Sequence, residues 1–191
     1  MNKILITLII FFGFTISVNS EIKRITSGNE DAKITIIAYE SLTCSHCADF
    51  HSNIYPKLKK EFINKGLLKI EFRHFPLDIA ALNASKIAQC KPDQSLQILD
   101  SLYSNQQSWV KGKSVDELNM NIKKFINDQG FKINFEKCLN DKEIENFILN
   151  DRIEGTKKFK VNSTPTIIIN DKKFEKTLNY KNLKKTIEKL I

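Results

Sequence analysis

Little in this 191-residue chain suits a nucleic-acid partner, although its formal net charge is +8. Lysines are spread along the whole length, arginine is scarce and no basic aromatic motif occurs, so the charge reflects composition rather than a binding surface. Glycine and proline are few, six and four. No low-complexity linker or internal repeat divides the chain, so one or two domains are enough. Past residue 20, no stretch is apolar over the roughly 20 residues that a bilayer-spanning helix needs. A second CxxC cluster is missing, which removes half the ligands of a structural zinc site. Ala48, not histidine, follows the one CxxC, which excludes c-type haem attachment.

An apolar run does stand at the N-terminus. Lys3 precedes Ile4 to Val18, and Asn19-Ser20-Glu21 follows. A basic start, a short apolar stretch and small residues before a polar one read as a secretory signal peptide over residues 1–20, cleaved after Ser20. An uncleaved anchor is the alternative, for which the run is short. Cleavage removes one charge, Lys3, and leaves a net +7. Export would put Cys44, Cys47, Cys90 and Cys138 where thiols oxidise unless a catalyst intervenes.

Lys33 to Tyr39 is β-branched and nearly all apolar, as a strand buried on both faces should be. Cys47, Phe50, Ile54 and Leu58 then recur at helical spacing, with Pro56 expected to kink the helix and Gly66 to end it. Leu67 to Phe75 reads as a second strand, which completes a βαβ unit. After Pro76 the pattern is helical for about 80 residues. It includes the alanine-rich Ala80 to Ala88, a helix marked by Leu96, Leu99, Leu102 and Tyr103, a capping box at Ser114 and Glu117, and a last long helix marked by Ile144, Ile148 and Phe159. Thr166 to Ile169 returns to strand character, Asn170-Asp171 turns, and Lys172 to Lys176 can run back. Tyr180, Leu183, Ile187 and Leu190 mark a closing amphipathic helix. The β segments frame the helices, so they are expected to share one sheet.

Cys44-Ser45-His46-Cys47 falls where a buried strand delivers a helix N-terminus. Unpaired backbone N–H groups and the helix dipole favour an anion there. The Cys44 thiolate is therefore expected to form below the free-thiol value of about 8.5. Two intervening residues on a first turn let the sulfurs bridge. Cys44 is the expected attacking and attacked sulfur, and Cys47 the resolving one. His46 can add a donor or a positive charge beside them. His74 reads as a packed or solvated strand-end residue and Trp109 as a core residue.

On these residues the chain resembles the DsbA family of thioredoxin-fold oxidoreductases, most of all its alphaproteobacterial branch. Tyr39 to His51 is similar to that family's active-site segment, Arg73 to Asp78 to its second-strand exit, and Val161 to Thr166 to its cis-proline loop. The resemblance implies an α/β thioredoxin fold with an inserted α-helical domain. Residues 21–77 would hold its first part, 78–160 the insert and 161–191 its second part. It implies a cis peptide between Thr164 and Pro165, facing the redox pair and leaving the Thr164 backbone free for an extended substrate. Relatives often carry proline where Ser45 stands, and an acidic residue where Ala38 stands. Glu40 is then the candidate proton acceptor for Cys47, against a plain surface carboxylate.

Cys90 and Cys138 both fall in the helical insert and read as a structural disulfide, against a regulatory couple. The resemblance implies a periplasmic dithiol oxidase that needs no soluble cofactor and acts as a monomer. It would accept electrons from unfolded exported proteins with cysteines and pass them to a DsbB-type membrane quinone reductase. The alternatives are a reductase or isomerase of the same fold, a copper- or zinc-binding chaperone using Cys44, His46 and Cys47, and a non-catalytic peptide-binding module.

Overall fold

A computed structural model describes residues 22–191, so the signal-peptide reading of residues 1–20 lies outside the described residues. The two apolar segments form the centre of one sheet. β2 (Ile34–Glu40) and β3 (Leu68–His74) run parallel, with Ile36 opposite Ile70 and Glu40 opposite His74. β4 (Thr166–Ile169) pairs antiparallel with β2 on its other side. The edges are β1 (Ile25–Ser27) on β3 and β5 (Lys172–Lys173) on β4, which gives the order β1-β3-β2-β4-β5. β1 lies in the mainly polar stretch that precedes Lys33. Three residues on an edge are too few to show an alternating pattern. β5 is also shorter than the expected return.

The crossover from β2 to β3 comprises α1 (Ser45–Asp49), a π-helical turn (Phe50–Ile54) and α2 (Tyr55–Glu61). Pro56 cannot donate a hydrogen bond to the carbonyl four residues back, so the chain widens just before it and Pro56 falls in the first turn of α2. The expected kink therefore takes the form of a π turn. Gly66 (φ 72°) adopts the left-handed conformation that releases the chain toward β3.

Between β3 and β4 the chain forms α3 (Ile79–Gln89), α4 (Ser95–Ser104), α5 (Gln106–Trp109), α6 (Val115–Asp128), α7 (Phe135–Leu139) and α8 (Lys142–Phe159). Ser114 caps α6 by accepting from the Glu117 N–H at 3.2 Å. The reciprocal bond of a capping box shifts one residue upstream, because Glu117 accepts from the Lys113 N–H. Trp109 is fully buried and donates its indole N–H to the Leu102 carbonyl at 2.8 Å. The closing helix α9 (Tyr180–Ile187) buries Leu183 and Ile187, while Leu190 lies past its end and is exposed.

Alternation along β2 divides the core. Ile34, Ile36 and Ala38 join Leu42, Phe50 and Leu58 under the crossover helices. Burying a side chain such as Leu58 contributes about 1.5–3 kcal/mol. Tyr39 faces the other way, with Phe75, Phe159, Val161 and Ile168. A Cβ at Gly155 would come within 2.6 Å of the Tyr39 ring, so glycine is what lets α8 lie against it. A chain of charges ties this face together. Arg24 reaches Glu71 (2.7 Å) and Asp151 (3.1 Å), and Arg73 reaches Glu154 (2.7 Å).

Candidate active site

The C-terminal end of β2 runs through Ser41 to Cys44, which sits as N-cap of α1 with extended backbone (φ −81°, ψ 119°). The N–H groups of Cys47 and Ala48 turn back onto the Cys44 carbonyl at 3.1 and 3.2 Å. Ser45 and His46 are therefore left exposed, Cys44 half-buried and Cys47 fully buried on the core side of the same turn. Both sulfurs are free thiols. The loop before β4 closes over them from the opposite side. Its Thr164–Pro165 peptide is cis, and the Cys44 Sγ lies 3.3 Å from the Thr164 carbonyl oxygen.

The two sulfurs differ sharply in acidity. A hydrogen bond from the Cys47 thiol does most to hold the Cys44 thiol down, at about 5. Partial burial opposes this, while the Thr164 side chain and the Cys47 and His46 backbone N–H groups assist. The local donors, with the second sulfur first, therefore set this acidity, and His46 contributes through its backbone. Burial pushes the Cys47 thiol far up, helped by the thiol hydrogen bond to Cys44 and by the Glu40 charge. One sulfur is thus an anion at neutral pH and its neighbour a buried, protonated donor.

Glu40 is not a surface carboxylate. It is 2% exposed, on the same β2 face as Ala38, and its Oε2 lies 2.8 Å from His51 Nε2. The other ring nitrogen, Nδ1, lies 3.2 Å from Asp100 Oδ1 on α4. Burial pushes the Glu40 carboxyl up, against the pull of His51. The two carboxylates hold His51 at about 9, against its burial. The ring stacks on Tyr103, centroids 4.1 Å apart. Sequence reasoning assigned no role to His51, Asp100 or Gln106. Gln106 donates to the Leu42 and Cys44 carbonyls at 2.9 and 3.0 Å and fixes the turn that carries Cys44. His51 stands four residues after Cys47, one turn along the same face, and that spacing was its available signal. Asp100 and Gln106 come from the insert, and only folding brings them near.

The remaining residues singled out in the sequence lie elsewhere. His74 is buried at the end of β3, and burial pushes its imidazole down to about 4. Cys90 ends α3 and is bonded to Cys138 of α7, across 48 positions. Among the described residues, no three His, Cys, Asp or Glu side chains are grouped to hold a metal ion.

The family model described as Thioredoxin matches residues 20–189. A putative protein-disulfide oxidoreductase of Rickettsia bellii (strain RML369-C) is 32% identical over 147 residues, covering 75% of this chain and 55% of that protein. The chain thus spans about half the length of that curated relative. Disulfide bond formation protein D of Bacillus subtilis (strain 168) is 29% identical over 171 residues, 85% of this chain and 74% of the relative. Among solved structures, alpha-DsbA1 of Wolbachia pipientis superposes with a TM-score of 0.77 at 30% identity, covering 86% of this chain and 89% of that one. Oxidised BdbD of Bacillus subtilis gives 0.72 at 25% identity, covering 87% and 92%. With its sheet order, its helical insert and its CxxC turn under a cis-proline loop, the chain belongs to the thioredoxin family and, within it, to the DsbA-like proteins.

Proposed function

We propose that the protein is a thiol:disulfide oxidoreductase that introduces disulfide bonds into exported proteins in the periplasm. The observation that carries this reading is the asymmetry of the two sulfurs: Cys44 half-buried and held as an anion, Cys47 buried and protonated. In the oxidised form the two share a disulfide. A substrate thiolate attacks Cys44 Sγ, and the Cys44–Cys47 bond breaks. Cys47 departs with the electron pair and takes up a proton. A second substrate thiolate then attacks its own sulfur in the mixed disulfide, and Cys44 leaves as a thiolate. The more stable that thiolate, the better it leaves and the more oxidising the couple.

The other residues take supporting parts. The Thr164 backbone beside Pro165 offers hydrogen bonds to an extended substrate segment. Glu40 is the proton acceptor for Cys47. His46, exposed in the first turn, adds a donor on the approach side. Export rests on the N-terminal leader, and a DsbB-type membrane quinone reductase would restore the disulfide.

Equilibration with a glutathione buffer tests the reading. A potential nearer the roughly −120 mV of a strong thiol oxidant than the roughly −270 mV of thioredoxin is expected. A value near the latter would favour a reductase. Reduced RNase should gain disulfides with the parent protein, and Cys44→Ala should not catalyse the reaction.

A further inference from the structure

Cys47 creates a difficulty that the exchange chemistry does not itself solve. Its sulfur must gain a proton when the disulfide opens and lose one when it re-forms, yet the residue is fully buried. Resting on the exchange reading above, we infer that His51 and Asp100 carry protons between the buried Cys47 sulfur and solvent, by way of Glu40.

From Glu40 to Asp100 the groups are in direct hydrogen-bond contact. Glu40 Oε1 is buried and takes no hydrogen bond from any described residue, which leaves an acceptor unused. The Glu40 charge helps to raise the Cys47 thiol, after burial and the hydrogen bond to Cys44. Its other oxygen meets His51 Nε2, and His51 Nδ1 meets Asp100. Side-chain exposure is 3% at Glu40, 1% at His51 and 34% at Asp100, so only the far end reaches water. Tyr103 and Phe72 pack on the ring, with centroids 4.1 and 5.0 Å away, and hold both nitrogens on their partners.

The other titratable groups around the ring do not compete. Tyr55 of α2 and Tyr103 of α4 are kept protonated by burial. His74, opposite Glu40 on β3, is kept neutral by burial. Cys44 and Cys47 of the redox turn are the groups served.

The transfers balance. In the reduced protein Glu40 is a carboxylate and His51 an imidazolium. When Cys47 attacks a mixed disulfide at Cys44, its S–H bond breaks and the proton goes to Glu40 Oε1. The Nδ1 proton of His51 passes to Asp100 and on to water. One proton has left, Glu40 is neutral and so is His51. When a substrate thiolate reopens the disulfide, a proton enters by Asp100 to Nδ1 and the Glu40 proton returns to the Cys47 sulfur. Each turnover drives the relay once in each direction, so neither ring nor carboxyl needs to be reset.

The test uses the reduced full chain with Cys90–Cys138 intact, mixed with dithiobis-nitrobenzoate. One coloured thiolate is released as Cys44 attacks, and a second as Cys47 resolves the mixed disulfide. In Asp100→Asn the first phase should be unchanged. The second should slow about tenfold at neutral pH and rise about tenfold per pH unit, as hydroxide replaces the relay. Asp100→Glu should restore rate and profile. Asp100 is partly exposed, so neither variant threatens the fold. A second phase with the parent's rate and pH profile in Asp100→Asn would overturn the relay and leave His51 as a buried clamp between β2 and α4. Absence of both phases in the parent would instead overturn the exchange reading on which it rests.

Discussion

The chain holds two cysteine pairs, and they are built in opposite ways. Cys44 and Cys47 share one turn, are free thiols and sit in unequal surroundings, one sulfur half-exposed among hydrogen-bond donors and the other buried beside a carboxylate. Cys90 and Cys138 come from two packed helices, α3 and α7, and are joined across 48 positions. Closing so long a loop lowers the entropy of the unfolded chain substantially, while bridging two residues does so hardly at all. The contrast teaches that function follows the asymmetry around a sulfur pair rather than the ability to bridge. A long loop with packed sulfurs is expected to stabilise the fold. A short loop with one ionised and one protonated sulfur exchanges.

The largest break in this comparison is at Cys44. Cys44→Ala should reduce RNase oxidation to the uncatalysed rate, whereas Cys90→Ser with Cys138→Ser should stay within a few-fold of the parent. That double variant should instead lose about 4 kcal/mol of unfolding free energy in the chain-entropy model, read from denaturant midpoints. A loss of exchange equal to that of Cys44→Ala would erase the distinction. Next comes the buried pair beneath the turn. His51 is held at about 9, so the stability it contributes is fully present below its ordinary value near 6.5 and is lost as pH rises through 9. Glu40→Gln removes one of its two carboxylates, so NMR titration should find His51 ionising at lower pH. The smallest effect belongs to Thr164→Val. It removes a hydroxyl whose influence on Cys44 is smaller than that of Cys47, and should raise the Cys44 ionisation by less than Cys47→Ala does. The ranking of these two variants by thiolate absorbance checks which donor dominates.

Much of the frame was legible in the sequence because it obeys local rules. Lys33 to Tyr39 read as a strand buried on both faces, although Thr35 and Ile37 are only half-buried, and Cys44 read as the end of a strand and the start of a helix. The three residues of β1 lacked length for any period to show. Pro56 announced a disruption, but not that the backbone would absorb it as a π turn. At the site, Cys44, Cys47 and Thr164-Pro165 stood out as motifs. Glu40 was visible as a carboxylate of undecided place, because burial depends on what covers the strand end. His51, which meets Glu40, is held in turn by Asp100 and Tyr103, some 60 positions along the chain. His51 was written at the right spacing, but nothing in its own segment says that two carboxylates converge on it.

One titration bears most directly on the claim that Cys44 is a stabilised anion. Thiolate absorbance is followed against pH in the reduced protein with Cys90–Cys138 intact. A depressed Cys44 stabilises the reduced fold above the ordinary thiol range, and that contribution is lost as pH falls through about 5. A single midpoint near 5, with no second ionisation up to the alkaline limit of the fold, is the expected result. A midpoint near the ordinary thiol value of about 8.5 would contradict it.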